Sequence, residues 1–272
     1  MNGSEIQKAL SSGNRVYGTC IVSPTTRWLD VVPGTGVDFV FIDTEHTPIG
    51  REKLSWMCRA YQGVGLAPIV RVPSTDPIQA SKAIDGGATG VIAPYVETAK
   101  QARDLVGAVK YRPLKHERLQ AILSGEEQID SEMKRYLEKY NHGRLVIVNI
   151  ESQAALNSLD EILDVEGIDS VLIGPHDLSC SLGLPEQYDH PVFLEAVKTI
   201  FKKARAHGVG AGYHSWISVD QQVDWIKAGA NFIIYSTDAY LYGHALKKDL
   251  QELKAAVGDS EMEEQKGTDL VV

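Results

Sequence analysis

Phe39-Val-Phe-Ile-Asp-Thr-Glu-His46 is an apolar run that ends abruptly in two carboxylates and an imidazole. Consecutive aromatic and β-branched residues read as a strand buried on both faces, which puts Asp43, Glu45 and His46 at its carboxyl end. One such cluster is weak on its own, because these residue types as often cap helices or make surface hydrogen bonds. Its weight depends on whether other strands end the same way.

Upstream, Val16 to Val22 reads as a first strand and Thr25 to Val32 as a helix, after a short leading helix over 4–11 opened by a Ser4/Gln7 capping box. Downstream the alternation continues. A helix over 52–61 precedes a strand at 67–72, and Asp76-Pro77 is an N-cap followed by proline, opening a helix that stops at Gly86 and Gly87. A strand at 90–93 leads to a helix capped by Thr98 and Gln101. Strands at 145–150, 170–173, 209–213 and 231–235 follow. Between them lie a helix with Leu156, Leu159, Ile162 and Leu163 inward, a long helix opened by Pro191, and one capped by Ser218 and Gln221 that buries Val219, Val223 and Ile226. The last helix, about 238–257, aligns Leu246, Leu250, Leu253 and Val257 and stops at Gly258.

Eight apolar strands alternating with helices predict an α/β chain, a (β/α)8 TIM barrel over residues 1–257. An open doubly wound sheet is the alternative, but it calls for a glycine-rich phosphate turn, and no GxGxxG or Walker sequence is present. Residues 111–144 are too long for a connection and form an insertion between strands four and five, with Ile129, Met133, Tyr136, Leu137 and Tyr140 at helical spacing. It reads as a lid or a subunit contact. Residues 258–272 read as an acidic, disordered tail.

The 272 residues are 43% hydrophobic and 23% charged, ordinary values for a chain with a packed core. A net charge of -9 with no basic run argues against nucleic-acid binding. No apolar run approaches the ~20 residues needed to span a bilayer, and Met1 to Lys8 lacks the form of a signal peptide, so a cytoplasmic protein without membrane contact is expected. Cys20, Cys58 and Cys180 are widely spaced and read as small buried hydrophobes, with no disulfide framework.

In a parallel barrel the carboxyl ends of all strands share one rim. Asp43, Glu45 and His46 follow strand two, Arg71 strand three, Glu151 strand five, Asp177 strand six, His214 strand seven and Asp238 strand eight. Glu151 and Asp177 are placed to share one divalent cation, Mg²⁺ or Mn²⁺ by ligand type; the plainer alternative is that each caps the next helix. Arg71 can fork onto a carboxylate or keto oxygen of a substrate, or pair with Glu45 or Glu151. His46 is the natural proton carrier, oriented by Asp43, unless it is only a hydrogen-bonding rim residue.

Ile42-Asp-Thr-Glu-His46, Pro68-Ile-Val-Arg71, Asn149-Ile-Glu151-Ser and Gly174-Pro-His-Asp177-Leu-Ser resemble, in order and spacing, the signatures of the HpcH/HpaI aldolases, metal-dependent pyruvate aldolases on a TIM barrel. The resemblance runs from about Gly18 to Leu250. It implies that Glu151 and Asp177 hold a divalent metal (Mg²⁺ or Mn²⁺, with Co²⁺ a further option), that Arg71 stabilises the enolate oxygen, and that His46 with Asp43 manages protons. It also implies that the turn of Gly174, Pro175, His176 and Asp177 meets the pyruvate carboxylate beside Asn149, and that the chain forms homo-oligomers, hexamers built as trimers of dimers. The chain departs from the family pattern at Thr44 and Asn149, where Gly and Gln are common, and at Lys115-His-Glu-Arg-Leu119, which replaces a Gly-x-Arg-Gly turn assigned to the end of strand four. His176, His214 and Trp216 are additions.

The expected activity is therefore metal-dependent cleavage of a 4-hydroxy-2-oxo acid to pyruvate and an aldehyde, the small-molecule keto acid being the partner. Two alternatives stand beside it. One is a related lyase acting on another electrophile such as an acyl-CoA; the other is a repurposed keto-acid-binding barrel or scaffold without aldolase activity.

Overall fold

A computed structural model describes residues 1–259; the acidic-tail expectation for 260–272 lies outside the described residues. Eight strands, β1 (Val16–Ile21), β2 (Phe39–Asp43), β3 (Ala67–Arg71), β4 (Gly90–Ala93), β5 (Leu145–Asn149), β6 (Ser170–Ile173), β7 (Gly210–Ser215) and β8 (Phe232–Thr237), pair in parallel in sequence order, and β8 closes on β1. This is the (β/α)8 barrel that the alternation predicts.

Around it run α1 (Gly3–Ser11), α2 (Trp28–Val31), α3 (Arg51–Gly63), α4 (Pro77–Asp85), α5 (Ala99–Lys110), α6 (His116–Ser124) and α7 (Ser131–Tyr140). The second half adds α8 (Gln153–Asn157), α9 (Leu159–Leu163), α10 (Pro175–Ser181), α11 (Pro191–Ala206), α12 (Val219–Lys227) and α13 (Asp238–Val257). Local chemistry sets most of their ends. Asp76 accepts from the Ile78 amide, Thr98 and Gln101 form a reciprocal box, and Gly258 ends α13 at φ 84°. The leading helix is capped differently from expectation: Asn2 and Glu5, two residues earlier, make the box instead of Ser4 and Gln7.

Side chains alternate across each strand, and the two cores follow that period. Val40, Ile42, Val70, Val146 and Val148 face the helices, whereas Phe39, Phe41, Ile69, Ile147, Leu172, Phe232 and Ile234 fill the barrel. Phe39 and Phe232 stack with centroids 4.7 Å apart across the closing seam. Ile6 and Leu10 of α1 plug the amino end of this interior. Continuing the inward phase by two residues gives Asp43, Arg71 and Asn149 at the opposite, carboxyl end, which is where the site must form.

The insertion is at the wrong end to be a lid. α5 carries the chain back down before residue 111, so α6, α7 and Lys115–Leu119 lie at the amino end and not after β4. Arg144 donates to the Ala88 carbonyl just ahead of β4, and His142 bonds Ser4 of α1. Of the expected apolar stripe, Leu137 is buried, while Tyr136 and Tyr140 stack on each other half-exposed. α12 turns another face inward than predicted: Gln222 and Trp225 are buried, and Val219 and Val223 are exposed. Trp225 packs edge-on against Tyr213 at 5.0 Å, and that large contact outweighs the two valines. Cys20 and Cys58 are buried as expected, but Cys180, on α10, is exposed.

Candidate active site

Asp43 and Arg71 stand opposite each other in the β2/β3 register, both pointing into the barrel. Arg71 Nε donates to Asp43 Oδ1 at 2.8 Å and Nη2 to Oδ2 at 2.9 Å, a two-bond fork. Asp43 also accepts the backbone amides of Glu45 (3.0 Å) and His46 (3.4 Å), and Arg71 Nε lies 3.1 Å from Glu45 Oε2. Burial alone raises a carboxyl pKa, yet the Arg71 fork and charge outweigh it and hold Asp43 below the usual range. Arg71 is driven up by the same partners against its own desolvation.

That pairing redistributes the roles expected of the opening motif. Asp43 orients Arg71, not the His46 imidazole; the imidazole instead lies with Nε2 3.6 Å from Glu45 Oε2. Arg71 pairs with Glu45 and Asp43, and the alternative partner Glu151 is engaged elsewhere.

Glu151 follows β5 and is 7% exposed. Its Oε1 accepts the Tyr95 amide and its Oε2 the Asn149 side-chain amide, both at 2.7 Å. Tyr95 adopts φ 58°, a left-handed conformation that turns the chain after β4 toward Glu151. Asp177 is in the first turn of α10, whose N-cap is Gly174. A Cβ at Gly174 would lie 3.2 Å from both Glu151 Oε2 and Asp177 Oδ2, so the glycine leaves the space into which the two carboxylates converge. Neither caps a helix: Ser152 caps α8, and Gly174 has no side chain to cap α10.

Burial first, then the charges of Asp177 and Glu45, push Glu151 up to about 7 against the pull of its two amide donors. A buried carboxylate in that state gains most from a nearby cation. Among the described residues no group of three or more His, Cys, Asp or Glu is arranged for a metal ion. The donor set is instead two carboxylates, with Asn149 Oδ1 buried and lacking a hydrogen-bond partner beside them. Such a set fits a hard divalent cation that keeps most positions for water and ligand oxygens.

A cavity of about 230 Å³ opens here, and His46, Arg71, Asn149, Gly174, Pro175, His176 and Asp177 all line it. Asp43 stands behind Arg71 and Glu151 beside Gly174. His176 reaches toward Glu186 at 3.8 Å on the outer side. Residues the sequence reading passed over are Tyr95, whose phenol is pushed up to about 12 chiefly by the neighbouring Glu45 carboxylate, and Tyr188, a cavity-wall residue from the loop before α11. Tyr95 was findable by applying the rim rule to strand four. Tyr188 had no local signal. His214 and Trp216 also line the cavity.

Comparison with known proteins agrees with this architecture. The profile of the HpcH/HpaI aldolase/citrate lyase family matches residues 21–245. The chain is 33% identical to 2-keto-3-deoxy-L-rhamnonate aldolase of Escherichia coli (strain K12) over 254 residues, 92% of each chain. Among solved structures it resembles citrate synthase SbnG at TM-score 0.79 and 29% identity, covering 93% of this chain and 98% of that one. It also resembles macrophomate synthase at TM-score 0.77 and 25% identity, covering 96% and 92%. With the family profile spanning nearly the whole barrel, the chain belongs to the HpcH/HpaI aldolase/citrate lyase family.

Proposed function

We propose that this protein cleaves a 4-hydroxy-2-oxo acid reversibly to pyruvate and an aldehyde, using a divalent cation held by Glu151 and Asp177. Membership of the aldolase/citrate lyase family makes the chain an enzyme of carbon–carbon bond cleavage. The observation that carries the finer reading is the convergence of the Glu151 and Asp177 carboxylates on the space beside Gly174, with Arg71 lining the same cavity.

When bound, the cation supplies Lewis acidity toward the 2-oxo and carboxylate oxygens of the keto acid; Mg²⁺ or Mn²⁺ suits the oxygen donors, with Co²⁺ a further option. Arg71, rigidly held by Asp43, offers fixed positive charge to the 2-oxo oxygen as negative charge develops there. His46 Nε2 takes the proton of the 4-hydroxyl during cleavage and returns it in synthesis, with Glu45 beside it. The first amides of α10, at His176 and Asp177, have no intrahelical acceptors and suit the substrate carboxylate, with Gly174 and Pro175 shaping the turn and Asn149 the wall. Residues 1–257 are taken as one catalytic unit, and the half-exposed leucines of α13 as part of a contact between subunits of a homo-oligomer, a hexamer by family resemblance.

The test is exchange of the pyruvate methyl protons with deuterated solvent. Chelation abolishes exchange and Mg²⁺ or Mn²⁺ restores it; exchange that survives complete metal removal overturns the mechanism. A second reading, in which the same keto-acid chemistry meets an electrophile other than an aldehyde, is favoured by the names of the two solved relatives, a citrate synthase and macrophomate synthase. Product analysis with aldehyde, oxo-acid and acyl-CoA acceptors separates the two.

A further inference from the structure

The inward face of β7 reads Gly210, Gly212, His214. A Cβ at Gly212 would run into Phe232 of β8, so the aromatic packing of the closing seam takes the lower part of this face and His214 is its first side chain to reach the cavity. The ring is 6% exposed and held on several sides. Phe41 meets it edge-on with centroids 5.2 Å apart, Trp216 does the same at 5.8 Å, and Nε2 lies 3.2 Å from the Ser236 carbonyl oxygen. Ser236 stands at φ 57°, a strained backbone conformation for serine, on the strand that supplies this acceptor.

A carbonyl oxygen only accepts hydrogen bonds, so this contact requires the ring hydrogen on Nε2. The neutral imidazole then carries its lone pair on Nδ1. Burial, and next the nearby charge of Arg71, keep the ring neutral and push its pKa down to about 4, so Nδ1 remains unprotonated at neutral pH. A residue lining the cavity therefore carries a neutral acceptor of fixed tautomer, which none of the roles assigned to His46, Arg71, Glu151 or Asp177 uses.

We propose that His214 is a specificity-determining residue of this site, accepting a hydrogen bond at Nδ1 from a hydroxyl group of the substrate in addition to the reacting 4-hydroxyl. This rests on the aldol reading for the identity of the site. The hydroxyl belongs either to the aldehyde half, as in a 2-hydroxyaldehyde, or to carbon 3 of the keto-acid half; the donor chemistry is the same. An analogue lacking the hydroxyl leaves a buried acceptor without a donor, which is how a polar site rejects a deoxy substrate.

The experiment compares wild-type full-length protein with H214F, which keeps a ring against Phe41 and Trp216 but no acceptor, and with H214L in case the larger ring disturbs folding. H214Q is the rescue variant, since its amide can donate to Ser236 and accept at the same time. In the aldehyde arm, the ratio of kcat/KM for glycolaldehyde over acetaldehyde is measured with pyruvate and Mg²⁺. In the keto-acid arm, the ratio of calorimetric affinities for 3-hydroxypyruvate over pyruvate is measured without turnover. In wild type one of the two ratios is expected to favour the hydroxyl compound by about 10-fold or more, to fall toward unity in H214F or H214L, and to recover in H214Q. Ratios that are unchanged in a folded acceptor-less variant, or that never favour the hydroxyl compound, overturn the assignment. Failure of the aldol reading shows separately, as wild-type protein with Mg²⁺ that exchanges no pyruvate protons; the binding arm then decides the role of His214 alone.

Discussion

Arg71 and Asp43 face each other across paired strands with two hydrogen bonds of 2.8 and 2.9 Å, and both are almost wholly buried. The pair fixes Arg71, which lines the cavity, in one orientation. Removing the charge of Asp43 leaves a buried guanidinium with Glu45 alone as its counter-charge. D43N is therefore expected to lower the unfolding free energy by about 3 kcal/mol in urea titrations. R71K, which keeps the charge but loses the fork, is expected to lower kcat/KM at least about 10-fold while the protein stays folded.

Glu151 makes stability depend on pH in the metal-free protein. Its folded pKa of about 7 lies above the ordinary carboxylate value of 4.5, so between these values the folded state holds a proton that the unfolded state has released. The contribution of Glu151 to stability is therefore fully present below about pH 4.5 and is lost as pH rises through 7, a fall of up to about 3 kcal/mol. Denaturation of chelator-treated protein should show the fall, and E151Q should remove it. Protonation competes with the cation, so metal affinity by calorimetry rises across the same interval.

His214 contributes the opposite slope. Its folded pKa near 4 lies below the ordinary 6.5, so its contribution is present above pH 6.5 and is lost as pH falls through 4. The two terms oppose each other between about pH 4.5 and 6.5. They are separated by subtracting the E151Q and H214Q profiles from wild type.

Gly174 tests the metal reading without altering a ligand. Its φ of -89° is open to any residue, so alanine costs little in the backbone, but the added methyl lies 3.2 Å from both carboxylate oxygens. G174A is expected to weaken Mn²⁺ binding about 10-fold or more, with less than about 1 kcal/mol lost from the stability of the metal-free protein. Equal metal affinity in the two proteins argues against this pair as the cation site.

α13 is a twenty-residue helix in which Asp238 is the one buried residue; Leu246, Leu250, Leu253 and Val257 are exposed. If this stripe is a subunit contact, sedimentation of the full chain gives a mass above the monomer. L246K/L250K should then shift the protein to a smaller species with an unchanged circular dichroism spectrum. A variant that keeps the larger mass places the contact elsewhere, for instance at Tyr136 and Tyr140.

The residues that made the barrel readable were those whose effect is local. Apolar runs of four to six residues, Pro77 and Pro191 at first helical positions, and the caps at Asp76, Thr98 and Ser218 act within one turn or strand, so their meaning survives in a linear string. The rim list was equally legible, because a parallel barrel sends every strand end to the same face. Closure of the sheet and the β2/β3 register decided the rest. They gave Asp43 to Arg71 instead of His46, brought the Tyr95 amide onto Glu151, and set the Ser236 carbonyl against His214. They also sent residues 111–144 to the amino end, because α5 reverses the chain before the insertion begins. Strand and helix identity follow from side chains a few positions apart, whereas hydrogen-bond partners more than twenty residues apart depend on which strands lie side by side, and only the closed barrel specifies that.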